Sequence, residues 1–144
     1  METLRFLSEQ YREAWEKAVS LAGDAPADKL AAMVATDFKP PVCERNKLAV
    51  WFAFWGESRS RPTYRKICAA RDREYRQHLR KYCEEIIREG NYSSRANFVA
   101  FGILAMNEGL WLDLLLNPDE LTTDLAREIS KSYLRDIFPA HFGE

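Results

Sequence analysis

Nine consecutive residues, Leu48-Ala49-Val50-Trp51-Phe52-Ala53-Phe54-Trp55-Gly56, carry neither charge nor polar group apart from the two indoles. Any fold for this chain has to house that segment. Glu44-Arg45-Asn46-Lys47 precede it and Glu57-Ser58-Arg59 follow, so its ends reach water. A membrane span needs about 20 such residues, and the run is far shorter. Lack of alternation, two alanines and helix formers on both flanks favour a helix from about Val42 to Arg59 over a buried strand. Trp51 and Trp55 then lie one turn apart on one face. The run predicts a segment surrounded by the rest of the chain, the least exposed helix of the fold.

The remaining segments also read as helices. From Glu2 to Leu21, the residues Leu4, Leu7, Tyr11, Ala14, Trp15, Ala18 and Leu21 form one stripe, and Gly23-Asp24 stops it. Pro26 suits the first turn of a short second helix with Leu30, Met33, Val34 and Phe38 inside, ended by Pro40-Pro41. After Ser60-Arg61-Pro62 a long helix runs to about Glu89, its stripe being Tyr64, Ile67, Cys68, Tyr75, Leu79, Tyr82 and Ile86, broken by Arg71. Acidic Asp72 and Glu74 are interleaved with its arginines, which reads as a solvated face. Gly90-Asn91 ends it. Ser93 or Ser94 is placed to cap a fifth helix reaching about Asn117, apolar nearly all round and interrupted only by Asn107, Glu108 and Asp113. The last helix starts near Thr122 or Thr123 and carries Leu121, Leu125, Ile129, Tyr133 and Ile137 on one stripe, with Ala126, Leu134 and Phe138 beside it. There is no strand pattern, repeat or low-complexity tract. The expectation is an all-α fold of about six helices.

At 144 residues and 47% hydrophobic content the chain makes one domain with one core. A net charge of −1 excludes a global field toward nucleic acid or an anionic membrane. No secretory signal is visible. Cys43, Cys68 and Cys83 are odd in number and form no Cys-x-x-Cys pair, which fits reduced thiols in a cytoplasmic protein. His78 and His141 have no metal-ligand spacing, and no nucleophile and base stand at readable spacing, so neither a metal, a cofactor nor an enzyme is expected.

Asp37-Phe38, Pro41-Val42-Cys43, the Leu48–Trp55 run, Arg61-Pro62, the Arg71–Leu79 segment and Gly109-Leu110-Trp111 together resemble the effector-binding domain of TetR-family transcriptional regulators. More narrowly, they are similar to its choline-responsive, BetI-like branch. The resemblance implies a ligand-binding and dimerisation domain of a repressor, a homodimer formed through the last two helices as a four-helix bundle, and a small-molecule effector, with a choline-like cation as the first choice. It also implies that DNA is contacted through an N-terminal helix-turn-helix head, which matches no residue here; Met1 is expected to lie about where such a head ends.

Two sets of residues follow. The aromatic density of Trp51, Trp55, Tyr75 and Trp111, with Arg71, Asn107 and Glu108 interrupting apolar stripes, marks a candidate ligand cavity between the central helix, the Pro62–Glu89 helix and the Phe98–Leu116 helix. The same aromatics also suit plain core. Arg71 is either snorkelling or paired inside with Glu108, and Glu108 is either that partner or a counter-charge for a cationic ligand. For the dimer, Gly102, Ala105 and Gly109 form a flat strip for close approach, joined by Leu125, Ile129 and Tyr133 on the last helix. A structural dimerisation module without a ligand is the alternative function.

Overall fold

The computed structural model describes residues 2–143 and is all-helical over them. The helices are α1 Glu2–Leu21, α2 Pro26–Thr36, α3 Arg45–Glu57, α4 Pro62–Gly90, α5 Ala96–Leu116, α6 Thr123–Ile137 and α7 Pro139–Phe142. The seventh, a single turn, was not expected. It forms because Phe138 is fully buried while Pro139 starts a new turn, and Tyr92 holds it there through hydrogen bonds with Ala140 N (3.0 Å) and His141 Nδ1 (2.9 Å).

Local chemistry sets the boundaries. Pro26 and Pro62 open α2 and α4, where a missing N–H costs nothing. Asn91 ends α4 with φ 53°, the left-handed turn that asparagine tolerates. Thr122 caps α6 by accepting the Leu125 amide at 3.1 Å. The expected serine cap of α5 is absent: the cap position falls on Arg95, which makes no side-chain cap bond.

The apolar run is not the centre of the fold. In α3 only Leu48 and Trp51 are buried; Ala49 and Ala53 face outward, and Phe52, Phe54 and Trp55 are half-buried. A helix that is apolar all round can still lie at the edge when its outer face is built from alanine and glycine, because little apolar area is left in water. The hub is α4, which packs against α1, α2, α3, α5 and α7. Its 29 residues span roughly 43 Å and bury a continuous stripe of Cys68, Arg71, Tyr75, Leu79, Tyr82, Cys83 and Ile86. In α1 the buried stripe ends at Trp15, and Leu21 is exposed. Cys43, Cys68 and Cys83 are buried free thiols, and burial raises all three pKa values, Cys43 to about 11 and Cys83 to about 12.

The last two long helices each show two apolar faces. α5 is long and apolar enough to cross a membrane by length and composition, but one face of it, Ala100, Ile103, Leu104, Asn107, Trp111 and Leu114, is buried in the bundle. The opposite face exposes Phe98, Phe101, Leu112 and Leu116 around Gly102, Ala105 and Gly109. On α6 the core takes Ala126, Ser130 and Leu134, whereas Leu125 and Tyr133 are exposed and Ile129 is half-buried.

Candidate functional site

Two polar centres lie side by side in the core. The first is Asp37, at the end of α2. Its Oδ1 accepts from Tyr11 Oη of α1 (2.7 Å), and its Oδ2 accepts from Asn107 Nδ2 of α5 (2.7 Å) and Tyr75 Oη of α4 (3.2 Å). Its main-chain carbonyl accepts the indole N–H of Trp111 at 2.7 Å. Asn107 Oδ1 in turn accepts from Ser130 Oγ of α6 at 2.9 Å. Side chains from four helices therefore converge, directly or through Asn107, on one residue at the end of a fifth. Burial pushes the Asp37 carboxyl up to about 6, while the hydrogen bonds and the Arg71 charge hold it lower than burial alone would.

The second centre is Arg71, of which 7% is exposed. Its guanidinium lies 4.4 Å from the Tyr11 ring centroid, 4.5 Å from Trp51, 5.5 Å from Trp55 and 5.6 Å from Trp111. Each such contact contributes about 0.5–2 kcal/mol, more as the cation is desolvated. Arg71 Nη1 donates to Asp72 Oδ1 at 2.8 Å and stands 3.9 Å from Glu108 Oε1, an ion pair too long for a hydrogen bond. Arg71 Nε and Glu108 Oε1 are buried with no hydrogen-bond partner among the described residues. Burial works against the arginine cation, and Tyr11, Asp72, Glu108 and Asp37 together outweigh it, leaving the pKa raised. Burial, then Asp72, pushes Glu108 up to about 7, with Arg71 opposing. Asp72 is also raised by burial.

Clefts flank this arginine on both sides. Between α3, α4 and α5 a cleft of about 300 Å³ is lined by Trp55, Ser58, Arg65, Cys68, Asp72 and Glu108. Between α1 and α4 a larger one, about 450 Å³, is lined by Glu9, Tyr11, Arg12, Trp15, Glu74 and Arg71 itself. A third recess, about 410 Å³ and almost wholly apolar, runs between α5 and α6 past Phe98, Gly102, Met106 and Tyr133.

A family profile described as BetI-type transcriptional repressor, C-terminal, matches residues 26–139. The chain belongs to that family. Among its relatives is the HTH-type transcriptional regulator BetI of Burkholderia mallei, 29% identical over 135 residues, covering 94% of this chain and 67% of the relative. The protein of the same name from Vibrio parahaemolyticus is 28% identical over 118 residues, covering 82% and 57%. The chain thus spans between 57% and 67% of the length of these two relatives. A crystal structure of a protein described as a transcriptional regulator from Pseudomonas aeruginosa PAO1 superposes with TM-score 0.87 at 23% identity, covering 97% of this chain and 68% of that one. At that identity the likeness concerns the fold. The BetI-type family is one of regulators, not enzymes.

Of the residues singled out in the sequence, Trp51, Trp55, Trp111, Arg71 and Glu108 come together. Trp55 stacks on Trp111 at 6.2 Å with planes 11° apart, and Trp51 packs 6.0 Å from Trp55. The expected cavity between them is not an open chamber: the Arg71 guanidinium fills it, and the open volume lies beside it as the α3–α4–α5 cleft. Of the two readings left open for Arg71, snorkelling does not fit a side chain this buried, and pairing with Glu108 is met only as a 3.9 Å ion pair, the hydrogen bond going to Asp72 instead. Tyr75 and Asn107 turn away from that cleft and engage Asp37. Asp37 and Tyr11 went unnoticed as site residues, because a single aspartate before Phe-Lys-Pro-Pro reads as an ordinary helix stop and Tyr11 as one more residue of a stripe. The one available signal was a tyrosine in each of two packed stripes, since a buried hydroxyl requires a partner.

Proposed function

We propose that this chain is the effector-sensing and dimerisation domain of a BetI/TetR-like transcriptional repressor working in the cytoplasm, and that its effector is a small organic cation of the choline type. The observation that carries this reading is the set of four aromatic rings, with carboxylates beside them, around a delocalised cation: the interior of the domain is already built to stabilise positive charge without water. The relatives carry the name BetI, and the resemblance to the choline-responsive branch supplies the ligand class. A cleft of about 300 Å³ is at the lower end of small-molecule sites, about 300–1,000 Å³, which suits a compact effector. Dimerisation is supported by the uncovered apolar face of α5 and α6. Ligand binding would act by favouring one dimer geometry over another, which requires unequal affinity for the two. Operator contact would belong to a helix-turn-helix head of the kind the relatives' names specify.

The test is titration with choline, betaine aldehyde and a panel of neutral apolar compounds while following tryptophan emission. Saturable change with the cations is the expected result. No saturable response to any compound would leave the second reading, a dimerisation module without a ligand, which the close packing of Arg71 among its rings favours.

A further inference from the structure

The rings that would hold an effector cation are occupied, and the occupant belongs to the chain. We propose that Arg71 is the resting occupant of the effector position, and that an organic cation binds by displacing its guanidinium toward the α1–α4 cleft. This rests on reading the domain as a cation sensor; it adds the resting state and a basis for selectivity.

Four observations support it. The guanidinium lies within 5.6 Å of four ring centroids, so those faces are unavailable to a second cation while it stays. Its hold is incomplete: among the described residues Nε has no partner, its one hydrogen bond goes to Asp72, the next residue on α4, and its ion pair with Glu108 of α5 is 3.9 Å long. There is somewhere to go, because Arg71 itself lines the cleft of about 450 Å³ between α1 and α4, where the carboxylates it would meet, exposed Glu9 and half-buried Glu74, are shared with Arg12. Finally, charge is conserved by the exchange. A neutral molecule that expelled Arg71 would leave Asp37, Asp72 and Glu108 facing no buried cation, whereas an incoming cation replaces the charge it removes. The exchange therefore selects for cations, and among them for weakly hydrated ones with diffuse charge, quaternary ammonium or guanidinium types, over compact primary ammonium ions.

The wild-type chain carries its own reporter. Ring currents from the surrounding aromatics shift the Arg71 Nε–Hε resonance away from those of exposed arginines in a ¹⁵N-labelled sample; Arg71→Lys assigns it by loss. Titration uses choline chloride and tetramethylammonium chloride, with sodium chloride at equal ionic strength and 3,3-dimethylbutanol, the neutral isostere of choline, as controls. The expected result is movement of that resonance toward the exposed arginines, with the same midpoint as the change in tryptophan emission and no response to either control. In parallel, Arg71→Ala empties the box, and methylguanidinium should bind it roughly 10–100-fold more tightly than the wild type, the factor recovered if the open state is about 1–10% populated. Choline that saturates the tryptophan signal while the Arg71 resonance stays in place would overturn the displacement and leave the sensor reading intact. Absence of any saturable response to the cations beyond the sodium chloride control, in wild type and in an Arg71→Ala variant that keeps its helical circular dichroism, would remove both.

Discussion

Asp37 is a carboxyl for which burial outweighs its hydrogen bonds, and that has a sign. Its folded-state pKa is raised from the ordinary 3.8 to about 6, so between those values the folded chain holds a proton the unfolded chain has lost. Its contribution to stability is therefore greatest below pH 4, falls as pH rises to about 6, and is flat above, a change on the order of 3 kcal/mol. Asp37→Asn removes that titration: the difference in urea unfolding free energy between variant and wild type should change by roughly this amount between pH 4 and pH 7. A constant difference would show an ordinary carboxyl. Glu108 makes the corresponding prediction for binding. Raised to about 7 among Asp72, Asp37, Arg71 and Arg76, it is half protonated near neutrality, and a cation prefers it ionised. A cation that binds beside Arg71 without displacing it should gain affinity as pH increases through about 7, a rise that Glu108→Gln abolishes. Exchange of Arg71 for an incoming cation leaves Glu108 beside one cation throughout, and affinity should then change little over that range. At this scale the sequence singled out residues that lie together in the fold, Trp51, Trp55, Arg71, Glu108 and Trp111, but not the partners that Tyr75 and Asn107 engage. Arg71 stood out because a charge broke an apolar stripe. Asp37 did not, since its partners come from helices far apart in the chain and no spacing records them.

The helices themselves were legible wherever an apolar stripe met a proline or glycine boundary, as in α1, α2, α4 and α6. Their ranking was not. A run of nine apolar residues suggested a central α3, whereas α4, with its charged surface, is the helix that five others touch. Burial is decided by which residues share a face and how far that face extends. Composition over a short window does not contain that information. α5 carries the sharpest test at this level. A Cβ added to Gly102 or Gly109 meets nothing within 4 Å, so within a single chain either substitution to alanine should only gain helix propensity, about 1 kcal/mol each. If a second chain seats its helices there, the same substitutions should weaken the dimer, read as a higher dissociation constant in sedimentation. Gly109→Arg should give a monomer or an unfolded chain.

For the molecule as a whole, the α5 and α6 surface predicts a light-scattering mass of two chains at micromolar concentration. An interface of the obligate kind would bury on the order of 2,000 Å² or more. A mass of one chain would count against the dimer and against Gly102, Ala105 and Gly109 as its contact strip. The three cysteines, buried at different places, allow one more reading. Cys68 sits on the wall of the cleft beside Trp55, Cys43 lies in a recess near Leu114 and Leu121, and Cys83 is wholly enclosed in the core. Because thiolates react and buried thiols do not, alkylation of each residue is timed by a different opening of the molecule. Cys83 keeps the time of global unfolding, and Cys68 that of the cleft. A saturating cation in the cleft should slow the Cys68 clock relative to the others, so that peptide mass spectrometry of a labelling time course reports occupancy of the site without any engineered probe.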